Sequence, residues 1–402
     1  MSAPVTYLPR TVDRALADAL ASAPVVLLDG PRAAGKTTTA NRWSASSVRL
    51  PRDLDALRVD PAGYLRSLES PVLIDEWQLA GTDLLWIIKD IVDADPGPGR
   101  FLLTGSVEPA TYGPTYPLTG RAIRLVVRPM TWAELHGRGA EPTFLEQAIN
   151  GGGEALGSPD PDPFDLSALA TSGFPGSRGL PDAQLFLDAY ASLIAQRAGD
   201  EGRDSTRLLR AMRAVATLSG QAAPDQRIWE AADINKASWT NYQDLLTRVH
   251  VLTPSPAFES NRLRRLTAYP KWFLADTALA LALADLTTAE LATSPALTGR
   301  FLEAFVMQQL RTQADQVRGH VLHVRTGAGE REIDAVVETP AGVIGIEVKL
   351  GTRPNAHDAR QLEWLRANLG KRFIAGFVVH TGDIRYAVSD RIWALPVGLL
   401  SG

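Results

Sequence analysis

The chain has 402 residues, 45% hydrophobic and 21% charged, a globular balance that excludes disorder throughout and is too long for one ordinary core. It contains no cysteine, which excludes disulfide scaffolds, cysteine-ligated zinc, iron–sulfur clusters and a thiol nucleophile; six histidines without an H-E-x-x-H pattern argue against a zinc protease. A net charge of −4 and a pI of about 5.9 confine any nucleic-acid surface to a local patch.

The first twenty residues carry Arg10, Asp13, Arg14 and Asp18 and have no apolar stretch of signal-peptide type. No apolar run approaches the roughly 20 residues of a membrane helix, so a soluble, cytoplasmic protein with no membrane partner is expected. Pro24–Leu28, Pro71–Asp75 and Phe101–Gly105 read as buried strands, and Ala122–Val127 as a further one. Helical patterns near Thr37–Ala45 and Leu84–Val92 lie between them. Short apolar runs separated by helices predict an α/β fold with a parallel sheet and flanking helices over residues 1–136.

Gly30-Pro31-Arg32-Ala33-Ala34-Gly35-Lys36-Thr37, followed by Thr38, fits G-x-x-x-x-G-K-[ST] at every fixed position. The glycines let backbone N–H groups turn toward phosphate oxygens, and the helix that follows adds positive potential at its N-terminus. Lys36 is placed to reach the β- and γ-phosphates of ATP and Thr37 to ligate Mg2+. Val72-Leu73-Ile74-Asp75-Glu76 ends an apolar strand in two carboxylates: Asp75 would hold Mg2+ through water, and Glu76 would polarise the attacking water as general base. Thr104-Gly105-Ser106 offers a hydroxyl, assigned to Ser106, that would sense the γ-phosphate; loop capping explains the same residues. Arg121 precedes the next strand, either as a catalytic cation toward nucleotide in its own or a neighbouring subunit, or as an ordinary surface residue.

At these motifs the chain resembles the bacterial and archaeal AAA-family ATPases with a Gly-Pro-Arg-x-x-Gly-Lys-Thr loop and a C-terminal region of unknown function. The resemblance continues in Gly173-Phe174-Pro175, in Lys271–Asp276 and in Ile346–Gly351. It departs from the pattern at Ala33-Ala34, where relatives often carry a polar residue. It implies an ATP-binding, Mg2+-using hydrolase whose sites are completed by neighbouring subunits, hence a homo-oligomer.

Residues 137–180 are rich in Gly, Pro and acid and read as a linker or insertion. Residues 181–290 read as mostly helical. Ile228–Ala232, a turn at Asp233–Lys236 and Ala237–Val249, with Trp239 and Tyr242, resemble a winged helix-turn-helix. The stretch from Asn261 to Lys271, with Arg262, Arg264 and Arg265, has four cations and no acid; it would either lie along DNA phosphates or cover apolar surface.

Residues 291–402 read as a second α/β domain: a helix over Gly299–Asp315, strands near Val321–Arg325, Ile333–Val337 and Val343–Leu350, a helix over Ala356–Leu369 and a strand over Phe373–His380. Alternation along the second and third strands leaves Glu332, Asp334, Glu347 and Lys349 off the apolar face. A hairpin centred on Pro340-Ala341 sets Asp334 across from Glu347, and like charges so placed require neutralisation, by Mg2+ and Lys349. This Asp…Glu-x-Lys pattern resembles the PD-(D/E)xK, restriction-endonuclease-like nucleases. That resemblance implies Mg2+ on Asp334 and Glu347, water activated by Lys349, an accompanying acid at Glu303 on the preceding helix, and Gln361 on the following one. The leading reading is an ATP-hydrolysing protein that cuts or grips branched or broken DNA. The alternative is a nucleotide-switched regulator that binds DNA or protein without cutting.

Overall fold

The structure is a computed structural model that describes residues 7–106, 116–156, 164–200, 202–221, 224–258, 269–326 and 331–401. The basic stretch Asn261–Leu266 lies outside the described residues. The chain divides into two compact units, residues 1–129 with 248–250, and residues 130–247 with 251–402.

Unit 1 is built on five parallel strands in the order β2-β3-β4-β1-β5: β1 (Val25–Asp29), β2 (Ser46–Arg49), β3 (Val72–Asp75), β4 (Phe101–Thr104) and β5 (Ala122–Val126). Side chains alternate between two buried faces. Val25, Leu27, Val72, Ile74, Phe101 and Leu103 pack on Leu84, Leu85, Ile88, Ile91 and Val92 of α5 (Asp83–Ala94). Val26, Leu28, Leu73 and Leu102 pack on Val12, Leu16, Ala19 and Leu20 of α1 (Val12–Ser22) and on Ala40 of α2 (Lys36–Trp43). Both faces of the sheet are covered, which explains why the strands read as continuous apolar runs. The predicted elements stand within about two residues of their expected ends. Strand β2 and the short helices α3 (Leu54–Val59) and α4 (Pro61–Ser67) were not anticipated, because β2 is only partly buried and carries little apolar signal.

The second unit begins at Met130, and the described residues of the 137–180 stretch, read as a linker or insertion, include two helices. Helices α6 (Trp132–Leu135) and α7 (Phe144–Gly151) each open with a Thr-x-x-Glu capping box, Thr131 with Glu134 and Thr143 with Glu146, which satisfies the first orphan N–H groups. Phe144 is fully buried, its ring 4.9 Å from that of Phe377. Gln309 and Gln313, on a long helix further along the chain, accept from Trp132 N (2.7 Å) and Leu145 N (3.2 Å). After α8 (Ser167–Ala170) come α9 (Ala183–Asp200), α10 (Ser205–Thr217), α11 (Asp225–Ala231) and α12 (Lys236–Arg248). Helices α11 and α12 follow the expected helix–turn–helix spacing. Trp239 and Tyr242 are core residues, and Asp225 accepts both the Trp239 and the Trp272 indole N–H, at 3.0 and 2.9 Å. Strands β6 (Leu252–Ser255) and β7 (Lys271–Leu274) pair antiparallel, followed by α13 (Thr277–Leu283) and α14 (Thr288–Thr293).

Helix α15 (Pro295–Gln316) leads into a six-stranded mixed sheet, order β12-β13-β11-β10-β9-β8. Strands β8 (His320–Arg325), β9 (Glu332–Thr339) and β10 (Gly342–Lys349) form an antiparallel meander. Helix α16 (Ala356–Leu369) then carries the chain over to β11 (Phe373–His380), parallel to β10. Strands β12 (Tyr386–Ser389) and β13 (Ile392–Pro396) extend the sheet beyond expectation. Helix α16 packs close to β10 because Gly345 has no side chain: a Cβ there would lie 2.8 Å from Leu362 Cδ2. Among the described residues no helix is long and apolar enough to cross a membrane.

Candidate functional site

In unit 1, β1 ends at buried Asp29 and the chain turns sharply. Gly30 has φ +144°, and a Cβ there would sit 2.1 Å from the Val127 carbonyl oxygen, so only glycine fits. Ala33 and Gly35 are left-handed as well (φ +60° and +93°), and α2 starts at Lys36. Alternating left- and right-handed backbone of this kind makes a concave nest of N–H groups at a helix N-terminus. Arg32 and Thr38 are exposed at the loop surface, while Pro31 and Ala34 are buried. The Arg10 guanidinium braces the loop from behind, donating to Ala34 O (3.0 Å) and Arg128 O (2.7 Å). Sequence reading missed Arg10, whose only signal is an Arg ahead of the first strand.

Lys36 folds onto its own loop, its Nζ donating to Gly30 O at 2.9 Å and Pro31 O at 2.8 Å. Burial lowers its pKa to about 8, against the pull of Glu76, Asp29 and Asp75. At the ends of β3 and β4, Asp75 Oδ1 accepts from Thr37 Oγ1 (2.7 Å) and Thr104 Oγ1 (2.6 Å). Glu76 is left-handed (φ +56°), its N–H donating to Thr104 Oγ1 at 3.2 Å. Its carboxylate accepts from Gln78 Nε2 and from Ser106 Oγ (3.2 Å). The structure therefore brings Lys36, Thr37, Asp75, Glu76, Thr104 and Ser106 to one end of the sheet. A backbone nest, an ammonium, a hydroxyl and a carboxylate suit a nucleoside triphosphate and a hard divalent cation: Thr37 and Asp75 would hold the ion, Lys36 and the loop amides the phosphates. Gln78 is a partner the sequence did not reveal.

Arg121 lies apart from this group. It precedes β5 at the sheet edge opposite the loop, roughly 20 Å away by strand rise. It is paired with Asp93 at 2.5 and 3.0 Å. In its own chain Arg121 does not reach the loop. Arg124, three residues further on, pairs with Asp29 beside the loop.

Unit 2 holds a second polar centre. The β9–β10 register runs from Gly342 paired with Thr339 to Ile346 paired with Ala335, and Glu347 and Asp334 are the next residues along the two strands. Asp334 Oδ2 accepts the Val348 N–H at 2.8 Å, and Lys349 Nζ lies 3.0 Å from Glu347 Oε2. Glu347 Oε1 is buried without a hydrogen-bond partner. Burial, with Asp334 opposite, pushes the Glu347 carboxyl up to about 8. Burial alone would lower the Lys349 pKa, but Glu347 and Asp334 outweigh it and raise it. These residues, with Glu332, His357, Asp358, Arg360 and Gln361, line a cavity of about 470 Å3 under the start of α16. Gln361 accepts from Arg331 at 3.2 Å.

Glu303 sits at the back of this cluster, and its partner is a residue the sequence did not assign to it. Lys271, on β7 and fully buried, places Nζ 2.8 Å from Glu303 Oε1, 3.5 Å from Glu332 Oε1 and 3.9 Å from Asp334 Oδ1. Burial works against the ammonium, but the three carboxyls hold its pKa above the usual lysine value. Burial pushes Glu303 up to about 8. Lys271 belongs here rather than with the basic stretch it adjoins in sequence. Among the described residues no group of three or more His, Asp or Glu stands ready by itself to hold a metal ion.

Residues 181–290 and 298–400 match two domains of unknown function, DUF8612 and DUF4143. The uncharacterized protein Rv2008c of Mycobacterium tuberculosis is 26% identical over 390 residues, covering 94% of this chain and 81% of that one. The uncharacterized protein Mb2031c of Mycobacterium bovis gives the same figures. Of solved structures, the Walker-type ATPase PABY2304 of Pyrococcus abyssi is 16% identical, with 69% of this chain and 99% of that chain covered at a TM-score of 0.39. A RuvB variant of Thermotoga maritima is also 16% identical, with 64% and 94% covered at a TM-score of 0.27. Residues 22–136 match the AAA domain, and that match, on a loop of the geometry described above, supports a P-loop ATPase of the AAA type.

Proposed function

We propose that the chain is an ATP-hydrolysing protein that acts on DNA, with a phosphodiester-cutting centre at Asp334, Glu347 and Lys349. The observation that supports the reading is the β9–β10 register, which runs on toward Asp334 and Glu347 with Lys349 two residues further, in a helix–three-strand meander–helix–parallel-strand order. That order and that set are those of the PD-(D/E)xK nucleases. Mg2+ held by Asp334 and Glu347 would neutralise phosphate charge and acidify a water. Lys349, 3.0 Å from Glu347, would hold the nucleophilic oxygen by donating a hydrogen bond to it.

In the ATPase unit, Lys36 exchanges its two loop carbonyls for phosphate oxygens. Glu76 leaves Gln78 and Ser106 to orient the attacking water. Assembly of copies is part of the proposal, because Arg121 can meet a nucleotide only across a boundary between chains. The helix-turn-helix of α11 and α12 would act as a winged helix beside DNA.

The test is a cleavage and binding panel of linear, forked and four-way DNA with Mg2+, with and without ATP. Cleavage lost in Asp334→Asn and Lys349→Ala, and DNA-stimulated ATP turnover lost in Lys36→Ala, are the expected results. Cleavage that survives both C-terminal variants removes the centre. The burial of Glu347 and the ion pairing of Glu303 with Lys271 favour one second reading, a nucleotide-switched regulator that grips DNA or protein without cutting. Binding without cleavage across the panel would select it.

A further inference from the structure

The carboxylate cluster of unit 2 divides into two halves with different partners. On the inner side, Glu303, Glu332 and Asp334 Oδ1 converge on the Lys271 ammonium within 3.9 Å, and Lys271 is itself fully buried. Gly220 closes over the same spot: a Cβ on it would lie 2.9 Å from Glu303 Oε2. On the outer side, Glu347 faces the cavity with Oε1 unpartnered, and Lys349 is half-exposed beside it. With all four carboxyls ionised, Glu303, Glu332, Asp334 and Glu347 would carry four negative charges against the two positive ones of Lys271 and Lys349, which leaves −2. That is the charge one divalent cation cancels. A second divalent ion would have to displace a buried ammonium that has three carboxylate neighbours.

We infer that Lys271 is a built-in monovalent cation occupying the inner position of the carboxylate cluster, so that the centre takes one divalent ion, on Glu347 and Asp334, and Glu303 is a partner of Lys271 rather than a metal ligand. The inference rests on the metal-centre reading above and adds to it the number of ions and the residue that sets that number. Lys271 is a positioning residue: it acts by holding Glu303, Glu332 and Asp334.

The test counts Mn2+ bound to the full-length chain without nucleotide, by electron paramagnetic resonance titration. The wild type binds one ion, lost in Glu347→Gln. Lys271→Met, which keeps the stem and removes the charge, binds two, with the line broadening of a coupled pair; Lys271→Arg returns the count to one. Glu303→Gln, which retains the lysine, keeps the single ion with its affinity changed less than about threefold. Two ions on the wild type, a single ion on Lys271→Met, or loss of the ion in Glu303→Gln would each overturn the inference while leaving a metal centre in place. No ion on the wild type would instead remove the metal-centre reading and this inference with it. Where Lys271→Met does not fold, the Glu303→Gln count decides between ligand and counter-ion.

Discussion

Gly30 and His323 carry the two most direct residue-scale predictions. At Gly30 the φ of +144° and the Val127 oxygen 2.1 Å from a notional Cβ leave no room for any side chain. Gly30→Ala is expected to abolish nucleotide binding in a fluorescent-ADP titration and to destabilise the chain by about 2–4 kcal/mol in urea unfolding. His323 is buried, with Nδ1 2.9 Å from Ser255 O, and burial, then Lys271 nearby, lowers its pKa to about 4. Its folded pKa lies below the unfolded one, so the unfolded chain takes up the proton first. Its contribution to stability is full above the ordinary histidine value and is lost as pH falls toward 4, by on the order of 3 kcal/mol. Glu303 runs the other way: with its pKa raised to about 8, its contribution is present below the ordinary carboxylate value and lost as pH rises toward 8. The measurable quantity is therefore a difference. Unfolding free energy of His323→Gln against wild type should lack the acid-side fall between pH 6.5 and 4, and parallel curves would refute the assignment.

Among the elements, the capped helices of residues 130–156 are where composition misled most. Gly and Pro suggested a linker or insertion over residues 137–180, and within it Thr143 and Glu146 satisfy each other's backbone N–H groups and start α7 in the core. Thr143→Ala should cost about 1 kcal/mol by thermal or urea unfolding, with nucleotide binding unchanged. The phosphate loop was legible because its motif is local and its flanking strand and helix are each announced by their own pattern. The pairing of β9 with β10 was legible for a similar reason: the tight turn at Pro340-Ala341 fixes register, and register fixes which side chains meet. Lys271 was not legible there. It lies 32 residues from Glu303 along the chain and reaches it only through tertiary packing, which periodicity does not encode. Arg121 illustrates the converse, since its place just before a strand puts it at the edge of the sheet away from the loop.

On the scale of the whole molecule, two compact units imply that unfolding need not be a single transition. A ligand that binds only the folded phosphate loop stabilises the unit that contains it, by about 2.7 kcal/mol at one hundred times its Kd. Scanning calorimetry should therefore resolve two transitions, with ADP moving one and leaving the other in place. In Lys36→Ala that shift should vanish. Equal displacement of both transitions by ADP would show that the units unfold together.

The Arg10 guanidinium grips two carbonyls at once, that of Ala34 in the loop and that of Arg128, two residues before the chain enters the second unit. A rigid, planar fork cannot follow one acceptor and keep the other unless both move alike. Any recoil of the loop on losing its phosphates must therefore either tug the peptide at 128 or tear free of it. The polypeptide leaves the first unit through a segment mechanically hitched to the floor of its own phosphate cradle.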